Sequence, residues 1–430
     1  MRILENSVDL VTLFFSSLLI GNTIIPIDPR KGKTEREEIL NQFSKKKIIS
    51  SKNNSVHDSF IEIDKLKDQF HKSSIKDLEI FDHVDFEKNF LITFTSGTSG
   101  TQKGVIHSFR NLIQSALSFN QKFDFGKSNR FLHNFSMTYM AGILNLIVLP
   151  LVSKSQIILA EQTTGVNIAN FWNTVKKFSA NTFWLNPTML ELMLILDRSD
   201  EGKKYVKNEK ITICVATAPL NASTKKRFEQ KYDVKTFESY GLSETLFIST
   251  NFPYNDKLSS VGKILENVKL KFSENEILVN LPWKFLGYHN LVTEEFFDES
   301  YFLTGDLGSI DENGFLSLIG RKKEIIIKGG INISPRKIED FIKELKILDE
   351  VVILGFPSKL LGEKIVCVGL ISKNDLDFLK KSINRQILEK LGRDYCVDEF
   401  VSLDKIPKNL NGKIDKIKIQ RILEEKINDS

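Results

Sequence analysis

Between Val8 and Phe252 the chain alternates short apolar runs with longer stretches of helical periodicity, and this alternation constrains its fold more than any other feature. The runs Ile24–Ile27, Lys47–Ile49, Leu91–Phe94, Gln156–Ala160, Thr182–Trp184, Thr212–Ala216 and Thr236–Glu238 have the length and composition of strands. Helical patterns lie among them, including Val8–Ile20, Ser108–Phe119 and Thr188–Leu196. Strand, helix and strand in succession read as a parallel sheet covered on both faces. From Val261 to Gly320 the rhythm changes to short strands separated by Asn, Gly and Asp turns, a smaller β-rich subdomain. After Gly320 come a strand at Glu324–Ile327, a helix at Pro335–Leu345 and strands at Val351–Leu354 and Val366–Ile371. That stretch, about 110 residues, is the size of a separate α+β domain. The expected architecture is therefore α/β. A large N-terminal domain over residues 1–319 carries layered, mainly parallel sheets, residues 320–323 mark the boundary, and residues 324–430 form a small α+β domain.

Composition excludes several classes. The chain has 60 basic and 55 acidic side chains, a net charge of +5 spread along its length, so neither nucleic acid nor a membrane surface is an expected partner. Its three cysteines, Cys214, Cys367 and Cys396, are far apart and odd in number, which argues against a disulfide framework or a metal site. Val8–Ile20 contains Asp9, lacks a small-residue cleavage site and is about seven residues too short to span a bilayer. Leu10, Phe14 and Leu18, with Val11 and Phe15, fall on one face of it, as in a helix packed on a core. A cytoplasmic protein with no stable membrane insertion is expected.

The chemistry begins at Leu91–Gly104, which reads LITFTSGTSGTQKG. An apolar strand empties into Thr95, Ser96, Gly97, Thr98, Ser99, Gly100 and Thr101, and Lys103 follows. Glycines let successive N–H groups converge on one anion, and hydroxyls and a lysine add further donors. Such a loop binds phosphate. It is not the loop of kinases and ATPases, because Gln102 stands where the second glycine of that pattern belongs and Gly104 where Ser or Thr is required.

Four further segments follow in fixed order: Tyr240-Gly241-Leu242-Ser243-Glu244, Tyr301–Asp306, the run from Gly320 to Pro335, and Pro407–Asp415. With the phosphate loop, they resemble the adenylate-forming superfamily: AMP-forming acyl- and aryl-CoA synthetases, the adenylation domains of peptide synthetases and firefly-type luciferases. The resemblance spans residues 5–425, and Gln102 departs from it where proline is usual. It implies ATP-dependent activation of a carboxylic acid to an acyl-adenylate, release of pyrophosphate, and transfer of the acyl group to a thiol. Lys413 would be the adenylation lysine, Lys103 a phosphate-side cation, and Glu244, with Thr95, a Mg²⁺ ligand. Ala218 would wall the adenine, Tyr240 would stack on it, Glu238 and Ser239 would border its amino edge, and Gly241 would complete that loop. Ser243 would touch the α-phosphate. Asp306 would accept the ribose hydroxyls, and Arg321 would contact ribose and phosphate. Lys323 would be the hinge. Gly329, Gly330 and Asn332 would admit a pantetheine arm once the last domain has turned.

The resemblance also locates the acid, near Phe135–Gly142, where Tyr139 replaces a frequent histidine. Tyr139, Met140, Gly142 and Asn186 are the expected pocket residues. No Asp lies between Arg130 and Lys154, which disfavours an amino-acid substrate, because members that activate amino acids use an aspartate there to hold the ammonium. The run GRKKEIIIKGGINISP is similar to that of free-standing CoA ligases, so CoA is the expected acceptor and an acyl carrier protein, through its phosphopantetheine, the alternative. The segment ahead of Asn6–Pro29 is shorter than is usual in the superfamily. A non-catalytic, nucleotide-binding relative is the remaining reading, and Lys413, Asp306, Arg321 and Glu244 together argue against it.

Overall fold

The computed structural model describes residues 2–3, 6–44, 46–50, 60–63, 84–96, 102–253, 257, 260–348, 350–358, 360–370, 376–410 and 412–428. At the N-terminal end β1 (Arg2–Ile3), β2 (Pro26–Ile27), β3 (Ile48–Ser50) and β4 (Phe60–Glu62) form a parallel sheet in the order β2-β1-β3-β4. The helix Val8–Leu19 precedes β2, begun by Ser7, whose hydroxyl accepts the Leu10 N–H. Strands β5 (Asn89–Ser96) and β6 (Gln102–Ser108) follow as an antiparallel pair.

Here the structure departs from expectation. Leu91–Phe94 does not enter the large parallel sheet, and the residues behind the phosphate loop, which carry a lysine and a glycine, continue as a strand before the next helix begins. Ser108 then caps the helix Phe109–Phe123, which ends at Asp124 in the left-handed region with φ 52°. A strand unmarked in the sequence reading, β7 (Arg130–His133), comes next, followed by β8 (Gln156–Leu159), β9 (Thr182–Leu185), β10 (Thr212–Val215), β11 (Thr236–Leu242), β12 (Leu246–Thr250) and β13 (Lys263–Ile264). They form one seven-stranded sheet, ordered β13-β12-β11-β10-β9-β7-β8. From β8 to β11 all neighbours are parallel, while β12 runs antiparallel to β11 and β13 antiparallel to β12. The helix Pro187–Leu196 has Pro187 in its first turn and Asn186 as its cap, and Asn221 caps the helix Ala222–Tyr232.

The turn-rich stretch builds β14 (Lys269–Ser273) and β15 (Glu276–Asn280). The short strand β16 (Gly287–His289) returns to pair with β6. Then β17 (Phe297–Asp298), β18 (Tyr301–Ile310) and β19 (Leu316–Arg321) complete an antiparallel sheet with β14 and β15. The final segment holds β20 (Ile326–Lys328), β21 (Ile331–Ile333), β22 (Val351–Ser358), β23 (Gly362–Gly369) and β24 (Glu399–Ser402) around the helices Pro335–Glu344, Leu376–Lys390 and Lys416–Asn428.

Apolar packing follows the same partition. One core cluster draws buried residues from Phe14 to Leu316, and two further clusters draw theirs only from Ile326 to Leu423. Polar bonds join the two parts. Arg336 donates to the Leu318 carbonyl at 3.0 Å, Asn221 to the Asp340 carboxylate at 3.0 Å, and Thr188 Oγ1 to the Gly412 carbonyl at 2.8 Å. Among the described residues no helix is long and apolar enough to cross a membrane.

The large core is aromatic where the helix Phe109–Phe123 lies on the sheet. The fully buried Phe119 stacks on Phe247 at 4.0 Å and packs on Trp184 at 5.9 Å between ring centroids. Truncating a buried Phe removes its transfer energy and leaves a cavity, about 3–5 kcal/mol. Phe119→Ala should therefore lower the melting temperature of the first thermal transition by several degrees. An unchanged transition would show that this packing contributes nothing.

Candidate active site

Strand β11 carries the sheet into the site. Its side chains alternate, and Thr236, Glu238 and Tyr240 point into the protein. Tyr240 Oη donates to Asp306 Oδ2 at 2.6 Å, and Arg321 Nε donates to Asp306 Oδ1 at 2.7 Å. Asp306 and Arg321 are direct partners across β18 and β19, so the ladder itself sets their pairing. Burial raises the Asp306 carboxyl above its ordinary range, and the Arg321 charge, the tyrosine hydrogen bond and the charge of Lys413 pull against that rise. Burial and the neighbouring carboxylate push the Tyr240 phenol well up, so it stays a proton donor. Arg321 keeps a side chain 44% exposed against 8% for Asp306, a buried carboxylate under an accessible guanidinium.

Glu238 is placed differently from expectation. Its carboxylate meets Lys225 Nζ at 3.1 Å, both side chains almost wholly buried, so it is spent on an internal ion pair. Burial nevertheless lifts its pKa, with Lys225 the main opposing influence. Ser239 faces the other side of β11, half-buried.

The turn between β11 and β12 holds Ser243 and Glu244 at its tip. Gly241 is required there: a Cβ on it would lie 1.8 Å from the Leu246 carbonyl oxygen. Leu246 takes a φ of 54°, and Thr245 Oγ1 accepts the Leu242 N–H at 3.1 Å, closing the turn. From β6, His107 Nε2 donates to the Ser243 carbonyl at 2.7 Å. Complete burial drops the His107 pKa to about 4, so the ring is neutral and Nε2 carries its proton. Glu244 is held twice. Its carbonyl accepts the Phe285 N–H at 3.0 Å, and its Oε1 accepts the Tyr288 hydroxyl at 2.8 Å.

Lys103 stands opposite Thr95 in the β5–β6 ladder, with Nζ 4.1 Å from the Phe296 ring centre and 5.0 Å from that of Tyr288. Burial and the charge of Lys323 lower its pKa while Glu244 opposes, so Lys103, Lys323 and Glu244 share one electrostatic neighbourhood. Thr95 and Ser96 end β5, whereas Gly97, Thr98, Ser99 and Gly100 lie outside the described residues. Ala218 lies past the carboxyl end of β10, half-buried, next to Thr217 with its strained φ of 77°.

Lys413 comes to this region from the last segment of the chain. Its turn is closed by the Asn409 N–H on the Lys413 carbonyl at 2.7 Å and by the Lys413 N–H on Asn409 Oδ1 at 3.0 Å. Nζ lies 5.8 Å from the centre of the Tyr139 ring, and its charge acts on Asp306. Asn186 borders the same turn, its Nδ2 3.8 Å from where a Gly412 Cβ would stand. Of the other expected pocket residues, Met140 is buried in the large core, and Gly142 sits where a Cβ would meet the Ser136 carbonyl oxygen at 1.9 Å. Both serve packing here. Lys323 lies exposed in the 3₁₀ turn Lys322–Glu324. Gly329 and Gly330 form the β20–β21 turn with φ 59° and 83°, and Asn332 lines a cleft of about 510 Å³ with Arg336, Lys337 and Tyr395. Neither Lys413 nor Glu244 lines that cleft.

No group of three His, Cys, Asp or Glu among the described residues could hold a metal unaided. A divalent ion at Glu244 would need oxygen ligands of its own, and phosphate oxygens are the hard donors Mg²⁺ takes. One carboxylate with one oxygen engaged by Tyr288 fits that demand. Three residues here escaped the sequence reading: His107, Tyr288 and Lys225. The first two belong to strands hidden by interspersed polar residues, and nothing local marks Lys225 as buried.

The family model described as AMP-binding enzyme matches residues 2–282. A 2-succinylbenzoate–CoA ligase of Listeria monocytogenes is 28% identical over 355 residues, 81% of this chain and 73% of the relative. An uncharacterized acyl–CoA ligase of Bacillus subtilis is 24% identical over 444 residues, covering 99% of this chain and 88% of the relative. In fold, the chain resembles ATP-bound MatB from Rhodopseudomonas palustris with a TM-score of 0.86 at 22% identity, covering 98% of this chain and 88% of that one. It also resembles the Bacillus subtilis o-succinylbenzoate coenzyme A synthetase in complex with ATP and magnesium ion, with a TM-score of 0.81 at 22% identity, 97% and 88% being covered.

The buried imidazoles predict a pH dependence. His107 and His133 both fall from 6.5 to about 4 on folding, so the unfolded chain binds their protons first. Their contribution to stability is complete above pH 6.5 and is lost as the pH falls towards 4. His107→Gln, which can still donate to Ser243, should flatten the fall in melting temperature across that window. An unaltered slope would show that His107 is not buried in its neutral form.

Proposed function

The chain belongs to the AMP-binding enzyme family, and we propose on that footing that it is an AMP-forming acid–thiol ligase of the acyl-CoA synthetase type. The observation that carries the reading is that Lys413 comes within 5.8 Å of the Tyr139 ring and its charge acts on Asp306, while Lys103, Lys323 and Glu244 share a second charged neighbourhood. Cations in two separate neighbourhoods suit a substrate that carries several negative charges along its length.

In the first half-reaction a carboxylate oxygen attacks the α-phosphorus of ATP, the bond to the bridging oxygen breaks, and pyrophosphate leaves. Charge builds on the phosphoryl oxygens and the leaving group, so fixed donors there lower the barrier. Lys413 meets the carboxylate and the α-phosphoryl oxygens, with Ser243 on the same group. Lys103 and the loop from Thr95 to Gly100 receive the pyrophosphate end. Mg²⁺, held by Glu244 and Thr95 with phosphate oxygens, would neutralise part of that charge. Asp306, kept as a carboxylate by Arg321 and Tyr240, accepts the ribose hydroxyls. The loop at Ala218 and the strand Ser239-Tyr240-Gly241 flank the adenine, while Glu238 supports that strand from beneath.

In the second half-reaction a thiolate attacks the acyl carbonyl carbon, and the bond to the AMP oxygen breaks. We assign the acceptor as CoA, with a carrier-protein phosphopantetheine as the alternative thiol, and the compartment as cytoplasmic. The segment after residue 323 turns about Lys323, withdraws Lys413 and presents Gly329, Gly330 and Asn332 in its place. Asn332 now lines a cleft that includes neither Lys413 nor Glu244, which supports an orientation proper to the first half-reaction. Tyr139 and Asn186 border the acid.

ATP–pyrophosphate exchange across a panel of carboxylic acids, followed by CoA or holo-carrier protein, tests this reading. No exchange with any acid would overturn it. Lys413→Ala should reduce exchange by about 10²–10³-fold, the effect of removing a key electrostatic donor. The same variant should convert supplied acyl-adenylate to thioester at a near-normal rate. Near-normal exchange would contradict the role of Lys413.

A further inference from the structure

We infer that Tyr288 is a positioning residue that sets Glu244 and Lys103 against one another, so that the carboxylate presents one oxygen to a phosphate-bound metal. The inference rests on the ATP-dependent reading above and assigns a part to a side chain not yet used.

Tyr288 lies on β16, the short strand added to β6, and is 7% exposed. Its backbone is fixed on both sides. Its N–H donates to Thr293 Oγ1 at 2.9 Å, and it pairs with Val105 in the ladder, two residues from Lys103. Three residues earlier, the Phe285 N–H donates to the Glu244 carbonyl at 3.0 Å. The segment from 285 to 289 therefore ties the lysine strand to the turn that carries the carboxylate.

The side chain serves both ends. The hydroxyl donates to Glu244 Oε1 at 2.8 Å, and the ring centre lies 5.0 Å from Lys103 Nζ, which also lies 4.1 Å from the ring centre of Phe296. In that bond the phenol is the donor, because a carboxylate can only accept. A carboxylate with one oxygen tied to a phenol is turned to offer the other, and a ring face within about 6 Å attracts an ammonium group. Groups that orient a metal's ligands change affinity when removed even though they never touch the metal.

Tyr288→Phe deletes the hydroxyl and keeps the ring and its packing. Isothermal titration with no carboxylic acid present should show MgATP binding weakened about tenfold. In the same variant, ATP binding in EDTA should match the unaltered protein. Tyr288→Leu should in addition weaken metal-free ATP binding about threefold through loss of the ring under Lys103. Equal weakening with and without Mg²⁺ in Tyr288→Phe would reveal a structural role alone and overturn the inference, as would unchanged MgATP affinity. Unchanged metal-free binding in Tyr288→Leu would overturn the Lys103 half. If the unaltered protein binds no MgATP, it is the reading of ATP-dependent activation that fails.

Discussion

The site depends on one buried carboxylate, Asp306, held between Tyr240 at 2.6 Å and Arg321 at 2.7 Å. Removing an acid from water favours its neutral form, and this one keeps a usable charge only because a guanidinium and a phenol donate to it. The three residues come from separate places: Tyr240 from β11 inside the seven-stranded sheet, Asp306 and Arg321 from neighbouring strands of the β-rich sheet. Their contact locks the two sheets together where β19 runs into the last segment. The charge of Lys413, arriving from that segment, bears on the same carboxylate.

Around that point the molecule uses buried polar groups as fixtures. The Lys225–Glu238 pair stands behind β11. Such a pair contributes little net stability against well-packed apolar side chains, yet breaking it strands a charge, so it constrains how the strand can sit. His107, neutral and donating to Ser243, fixes the turn beyond β11 from a strand of another sheet. Tyr288 fixes the same turn through Glu244. Ser243 and Glu244 thus sit on a tip that two sheets restrain, and little reorganisation is left for the moment of reaction.

Much of this was legible in the sequence. The α/β class and four strands of the large parallel sheet follow from local pattern, and Asp306, Arg321, Glu244 and Lys413 are marked by the order of their segments along the chain. What escaped is what local pattern cannot carry. Leu91–Phe94 has the composition of a parallel core strand, yet it pairs antiparallel with Gln102–Ser108, a segment whose lysine, glycine and histidine disguise it. His107 and Ser243 are 136 residues apart, and Tyr288 and Glu244 are 44 apart, so no periodicity links them. Met140 and Gly142 lie beside Tyr139 in sequence, but the irregular helical stretch from Met140 through the π turn Leu144–Val148 buries them in the core.

The central claim is that the acid is activated as an adenylate, with its own oxygen joined to the α-phosphorus. Following an ¹⁸O-labelled carboxylic acid through one turnover by mass spectrometry tests it most directly. With an acid that supports turnover, the account predicts one ¹⁸O atom in the AMP and none in the pyrophosphate. Label in inorganic phosphate, with ADP as the nucleotide product, would contradict it.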